Sequence, residues 1–213
     1  MSSLLSVIDF AFLFFMIQKG TPLLMKFSKT YKNMNQVGRI QFNNRVVSTI
    51  HSVLAFVHSL TSIYTNKIQP YSKITDISDY AMYSMEFSTG YFLWDLFASL
   101  EEQDTSYILH AIACLGVFST GCMDPSTTMF IVPFLMYECS TPFINIRWFL
   151  LKFKYLQRYI ASLEKLIFIL FFVSRIGIGL PIQYKILNIY YSHFEEFPTI
   201  KGLGIMFSNI ALG

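Results

Sequence analysis

The feature that most constrains this chain is a series of long apolar stretches separated by short polar connections. Six such stretches are predicted, at residues 4–17, 46–64, 83–100, 106–121, 128–149 and 163–184. A helix needs roughly 20 apolar residues to cross the hydrocarbon core of a bilayer, and it satisfies its backbone hydrogen bonds internally. The pattern therefore predicts an all-α, multi-pass transmembrane bundle of six or seven spans.

The amino-acid composition agrees with a membrane protein. Of the 213 residues, 54% are hydrophobic and only 14% are charged, whereas about a quarter of the residues in soluble proteins are charged. The formal net charge of +3 is too small, and the basic residues are too scattered, to predict nucleic-acid binding. The three cysteines show no metal-ligand spacing, so no metal site is expected.

The distribution of basic residues predicts how the chain is oriented. Segment 19–45 is basic and contains no acidic residue, and segment 147–158 is also basic. Because basic loops stay in the cytosol during insertion and an even number of predicted spans separates these two, both are expected to be cytosolic. The N-terminus is then lumenal.

The chain divides into two parts on this interpretation. Residues 1–42 form an N-terminal span and a basic cytosolic loop, and residues 43–213 form the main membrane domain. The last apolar run, 200–213, is too short to cross a bilayer comfortably. A truncated last helix is therefore expected there.

Ionisable side chains inside the spans are functional candidates, because they need protein or water around them. The candidates are His51, His58, Glu86, Asp95, His110, Glu138 and Arg175. The first two lie seven residues apart on one helical face, which predicts either a shared cavity or hydrogen bonds between helices. Glu86 and Asp95 point in opposite directions, so only one can face a given pocket. Asp95 either lines that pocket or pairs with a cation such as Arg175.

His110 lies within a short apolar run, where an imidazole can act as a base or nucleophile or make a structural hydrogen bond. We expect it to face the bundle interior within reach of Asp95, Glu138 or the two histidines of the second span. The cavity there is expected to have walls of phenylalanine and tyrosine, which would suit an acyl chain.

Two segments are expected to interrupt regular helices. Pro142 removes a backbone donor and predicts a break or kink in the fifth span. The polar residues that would line the opening are Glu138, Ser140, Thr141 and Asn145. The run SRIGIGLP, residues 174–181, predicts an irregular helix with a close approach between backbones.

Five motifs, in chain order, carry a resemblance to a known family: NNRVVSTIHS, TGYFLWDL, ILHAIAC, YECSTPFINIRWFL and FFVSRIGIGLPIQYK. They resemble the TLC domain, shared by translocation-associated membrane proteins, longevity-assurance ceramide synthases and the ceroid-lipofuscinosis membrane protein. The resemblance covers about residues 43–185, and it marks 43–213 as a TLC-like membrane domain. It implies a helical bundle around a lipid-accessible cavity, located in the endoplasmic reticulum or a related endomembrane.

The function that the resemblance implies depends on His110. Ceramide synthases of this family acylate a sphingoid base with acyl-CoA through paired histidines, whereas this chain has Ala111 beside His110. The leading hypothesis is therefore a protein that binds a membrane lipid or fatty acyl chain and acts in membrane lipid homeostasis without a cofactor. Its expected cavity-lining residues are His51, His58, Trp94, Asp95, His110, Glu138, Ser140, Thr141, Asn145 and Arg175.

Two alternatives remain open. One is an acyltransferase similar to ceramide synthase, with acyl-CoA as substrate, His110 as the catalytic residue and Asp95 orienting it. The other is a cargo receptor or structural partner in the membrane, for which the basic loops would be the docking sites.

Overall fold

The computed structural model describes residues 2–65, 79–123 and 125–192, and no strand occurs in these ranges. The α-helices are α1 (Ser2–Leu24), α2 (Lys29–Lys32), α3 (Gln36–Thr65), α4 (Asp79–Glu102), α5 (Thr105–Met123), α6 (Pro125–Ile131), α7 (Thr141–Phe153), α8 (Ile160–Phe172) and α9 (Leu180–Ser192). A 3₁₀ segment (Val132–Ser140) joins α6 to α7, a 3₁₀ turn (Gln157–Tyr159) precedes α8, and a π-helical segment (Val173–Gly179) joins α8 to α9. The predicted all-α bundle is confirmed.

Over the described ranges, the long helices form six rods that correspond to the six predicted spans. Three runs are long and apolar enough to cross a membrane by length and composition alone: Leu4–Leu24, Thr105–Met123 and Gln157–Lys185. Helices α3 and α4 are less apolar because they carry charged, amide and hydroxyl side chains, and several of their serines are buried. The predicted last helix at 200–213 lies outside the described residues.

The first two predicted spans are shorter than the helices that the structure shows. Helix α1 continues through Pro22 to Leu24, and α3 begins at Gln36, ten residues before the predicted start at 46. The basic residues in these extensions resemble loop residues in the sequence. Arg45, however, is helical and finds partners on neighbouring helices, so the helix does not end where the apolar stretch ends.

The two basic segments lie at the same end of the bundle. Phe42 packs against Phe149 with ring centroids 5.1 Å apart. The Arg45 guanidinium lies over the Trp148 ring, 5.0 Å from its centroid. The prediction that both segments share one face is confirmed by these contacts between α3 and α7.

Helices α1, α3 and α4 pack through an aromatic layer, formed by Phe10, Phe14, His51, Phe87, Tyr91 and Trp94. Gly90 permits this packing. A Cβ atom added there would lie 2.6 Å from the Phe10 Cβ and 2.7 Å from the Val7 carbonyl oxygen. Small residues at such crossings let transmembrane helices approach closely.

Both predicted interruptions of regular helix are observed, but the close approach expected at the second one involves a side chain and not another backbone. The 3₁₀ segment ends at Ser140, and α7 restarts at Thr141 with Pro142 in its first turn, where the missing N–H needs no helical partner. The π-helical segment covers most of SRIGIGLP. A Cβ atom added at Gly179 would overlap the Tyr137 side chain, so this glycine accommodates the ring.

Candidate functional site

A cavity of about 220 Å³ lies between α3, α4, α5, α7 and the 3₁₀ segment. Most of the residues that line it carry polar side chains. The lining residues are Asn44, Arg45, Ser48, Tyr91, Phe92, Asp95, Ala98, Ser99, Glu102, Tyr107, His110, Glu138, Thr141, Ile144 and Asn145. We call this the polar cavity.

Helix α4 supplies two of the three carboxyl groups that line the polar cavity, at different depths. Asp95 and Glu102 lie seven residues apart on one helical face, which corresponds to about 10 Å along the axis. Asn44 donates to a Glu102 carboxylate oxygen over 2.6 Å. Within the described ranges, no hydrogen bond or ion pair engages the Asp95 carboxyl group.

Arg45 joins three helices at one end of the cavity. Its Nη1 donates to the Asn145 side-chain oxygen over 3.0 Å, and its Nη2 lies 3.4 Å from the Tyr107 hydroxyl. The buried Asn145 amide in turn donates to the Ser48 and Thr49 hydroxyls. The Arg45 Nε atom is buried without a hydrogen-bond partner among the described residues.

A polar network closes the cavity on the side of α1. Gln18 donates to the Asn44 side-chain oxygen over 2.7 Å and contacts Glu101 over 3.2 Å. The Trp94 indole lies 3.5 Å from the Gln18 oxygen. Trp94 therefore ties this network to the aromatic layer.

A second cavity of about 70 Å³ shares Phe92, His110 and Glu138 with the polar cavity. Its other lining residues are Cys114, Phe118, Phe134, Leu135, Tyr137 and Arg175. The Arg175 guanidinium lies 4.7 Å from the centroids of the Tyr137 and Phe171 rings. The expected aromatic walls describe this small cavity better than the polar cavity, where three aromatic side chains, Tyr91, Phe92 and Tyr107, are part of the lining.

The structure brings five of the sequence-predicted site residues together on the polar cavity: Asp95, His110, Glu138, Thr141 and Asn145. The others lie elsewhere. His51, His58 and Trp94 are buried among aromatic side chains. Ser140 is buried at the junction of the 3₁₀ segment and α7, and Arg175 lines the small cavity.

Sequence reasoning missed seven polar residues that line the cavity, and the clearest cases are Asn44, Arg45 and Tyr107. They lie at or beyond the ends of the predicted spans, where polar residues are ordinary. The spacing of these residues was a usable signal. Asn44 and Arg45 precede Ser48 by four and three residues, so they extend the same helical face upstream of the apolar stretch.

The exposed lining residues and the helix packing indicate that the polar cavity is open on the side between α5 and α7. Within the described ranges, α5 packs on α4 and α6, α7 packs on α3 and α8, and the two have no extensive contact with each other. Three residues on this side of the cavity are exposed: Tyr107 at 44%, Ile144 at 41%, and His110. The opening therefore faces the surroundings of the bundle.

Fold and site together define an integral membrane protein, a helical bundle with a polar cavity open to its side. The TLC domain of the TRAM, LAG1 and CLN8 proteins matches residues 41–213, and the chain belongs to the TLC domain family. The resemblance indicated by the five motifs is thus confirmed, and the relatives include members of the TLC domain-containing protein 4 group.

Three relatives illustrate the similarity. TLC domain-containing protein 4 A of Dictyostelium discoideum is 25% identical over 187 residues, which cover 85% of this chain and 72% of the relative. Topoisomerase I damage affected protein 4 of Saccharomyces cerevisiae is 28% identical over 217 residues, covering 95% and 77%. Human TLC domain-containing protein 4 is 27% identical over 188 residues, covering 85% and 69%. No solved structure matches the chain.

Proposed function

We propose that this protein binds a membrane lipid with the lipid headgroup in the polar cavity and acts in membrane lipid homeostasis. The observation that carries the proposal is the lateral opening of a polar cavity between two helices of a membrane bundle. A ligand that enters from this side comes from the bilayer. It needs a polar group to match the lining and apolar chains that can remain in the hydrocarbon.

The size of the cavity supports a headgroup as the buried part. Its volume of about 220 Å³ is below the roughly 300–1,000 Å³ of pockets that enclose whole drug-sized ligands. The exposed apolar side chain of Ile144 at its edge can contact the first part of an acyl chain. The lipid chains then stay mostly outside the cavity.

The lipid that co-purifies with the protein tests this proposal. Ser48→Phe places a large side chain in the cavity and should reduce retained lipid several-fold, measured by mass spectrometry of extracted lipids. Ser162→Phe on the exposed face of α8 is the matched control and should leave retention unchanged. The proposal fails if the wild-type protein retains no lipid, or if both variants retain as much as wild type.

One observation favours acyl transfer as a second function: His110 and Asp95 line the same cavity. In this version, acyl-CoA is the donor, His110 acts as the base and Asp95 orients it. Proteoliposomes should then transfer an acyl group from acyl-CoA to a lipid amine, and His110→Ala should abolish the transfer in a folded protein. Inactive wild-type proteoliposomes would eliminate this version and leave the binding proposal intact.

We also propose an endoplasmic-reticulum or related endomembrane location with a lumenal N-terminus. The support is the positive charge at the end of the bundle where segments 19–45 and 147–158 meet. A glycosylation tag before α1 should be modified, and tags at 25–28 and 154–156 should not. Modification of either internal tag would contradict the proposed orientation.

A further inference from the structure

The polar cavity holds more carboxyl groups than cations. Asp95, Glu102 and Glu138 all line it, and the Asp95 carboxyl is close enough to the other two to be repelled by them. Glu102 has Asn44 as a donor, and Thr141 is a side-chain hydrogen-bond partner of Glu138. The Asp95 carboxyl group has neither a hydrogen-bond donor nor an ion-pair partner among the described residues.

An unpaired carboxylate inside a membrane protein is costly unless a cation or donor approaches it. The surroundings of Asp95 suit a small organic cation. Tyr91 lies one helical turn from Asp95, and Tyr91 and Phe92 both line the same cavity. Aromatic rings attract ammonium groups through their electron-rich faces. Asp95 and these rings therefore form an incomplete site for an ammonium group.

Arg45 provides the opposite charge nearer the end of the bundle. Its Nε atom lacks a hydrogen-bond partner among the described residues, although Nη1 is held by Asn145. A guanidinium matches the oxygens of a phosphate with several donors at once. The Tyr107 hydroxyl beside Arg45 and the Ser48 hydroxyl in the same cavity are further donors for such an anion.

The presence of a carboxylate and a guanidinium in one cavity restricts which charged groups a ligand can carry. An anionic phospholipid would satisfy Arg45 and leave Asp95 facing more negative charge. A long-chain amine would satisfy Asp95 and leave the Arg45 Nε donor without an acceptor. A phosphate linked to an ammonium group satisfies both.

We propose that the polar cavity is a site for a zwitterionic phospholipid headgroup, with its phosphate at Arg45 and its ammonium group at Asp95, supported by Glu138. This inference rests on the proposed function and specifies its ligand. The ammonium group lies deeper in the bundle than the phosphate, because Asp95 is seven residues from the end of α4 marked by Glu102.

The test measures which lipid the full chain retains. The purified protein is equilibrated in mixed micelles that contain equal mole fractions of phosphatidylethanolamine, phosphatidylglycerol and sphingosine, and is then separated from free lipid. Mass spectrometry gives the amount of each lipid bound. Wild type should retain phosphatidylethanolamine at least about tenfold over either competitor, the scale expected for one hydrogen bond to a charged group.

Two cavity variants and one control test the contributions of Asp95 and Arg45 separately. Asp95→Asn keeps the shape of the side chain and should reduce bound phosphatidylethanolamine by roughly ten- to a hundredfold, while phosphatidylglycerol is unchanged or increased. Arg45→Gln should reduce binding of both phospholipids. Glu164→Gln removes an exposed carboxylate of α8, outside the cavity, and should behave as wild type.

The possible results distinguish this inference from the proposed function. Retention of lipid without headgroup preference, or an unchanged preference in Asp95→Asn, would overturn the zwitterionic site and leave lipid binding in place. A preference for sphingosine would overturn the role of Arg45. Failure of the wild-type protein to retain any lipid would overturn both.

Discussion

The aromatic layer around His51 and the polar cavity around His110 share helix α4 but accommodate an imidazole in different ways. His51 is fully buried, lies parallel to the Tyr91 ring at 3.6 Å between centroids, and has the Ser88 hydroxyl 3.4 Å from Nε2. His110 is exposed at the cavity opening, with the Cys114 sulfur 3.5 Å from Nε2. Packing therefore assigns a structural role to the first imidazole and leaves the second accessible to a ligand.

The largest effect expected from this comparison is on stability. His51→Ala removes a fully buried ring and its contacts with Phe14, Tyr91 and Phe92. Deleting a buried aromatic group leaves a cavity and loses ring packing, so the free energy of unfolding should fall by about 2–4 kcal/mol. Denaturant unfolding in detergent micelles measures this change. A loss below about 1 kcal/mol would contradict the structural role of His51.

A second effect concerns the close crossing of α1 and α4. Gly90→Ala forces a methyl group against the Val7 carbonyl and the Phe10 side chain, and should lower the free energy of unfolding by about 1–3 kcal/mol. Gly116→Ala is the matched control, because an added Cβ there meets no atom within 4 Å. The midpoint temperature of thermal unfolding should be lower for Gly90→Ala than for Gly116→Ala. Equal stability would mean that the aromatic layer does not depend on this crossing.

The cavity variant should separate stability from binding. His110→Ala removes an exposed side chain, so the free energy of unfolding should change by less than about 1 kcal/mol. Retained lipid should nevertheless fall several-fold, because His110 lines both cavities. Leu109→Ala, an exposed neighbour on α5, is the control for lipid contact alone. Equal lipid retention in the two variants would remove His110 from the site.

The smallest effect is expected at a polar contact that belongs to neither region. Arg147 and Glu164 form an ion pair 2.6 Å long, with side chains 41% and 48% exposed. A double-mutant cycle should give a coupling energy of about 0–1 kcal/mol, which decreases as salt is added. A coupling above about 2 kcal/mol would show that this contact between α7 and α8 supports the bundle as strongly as the aromatic layer does.

The sequence predicts the helical rods and their irregular points well, because these follow from local chemistry. Pro142 cannot supply a backbone donor, and Gly179 lacks a Cβ, so both positions predict departures from regular helix without knowledge of the neighbours. The ends of the rods are harder to predict. Arg45 belongs to α3 because of its partners Asn145 and Trp148, about a hundred residues away in the chain.

The sequence predicts the site less completely, since it shows which side chains are polar but not which helix faces meet. Asp95, His110 and Glu138 are conspicuous in apolar stretches, and the structure places them on one cavity. His51 is equally conspicuous, yet Tyr91 and Ser88 complete its surroundings in the aromatic layer. The difference depends on the pairing of α1, α3 and α4, which no single helix specifies.

The opening between α5 and α7 has a consequence for how occupancy depends on concentration. A lipid that reaches the cavity sideways is already dissolved in the bilayer, so its chemical potential depends on its mole fraction among the membrane lipids. Adding more bilayer of unchanged composition should therefore leave the occupied fraction constant, as long as lipid is in excess. Diluting the same headgroup with a lipid that the cavity rejects should empty it. On the proposed function, occupancy of the cavity should respond to membrane composition and be insensitive to the amount of membrane.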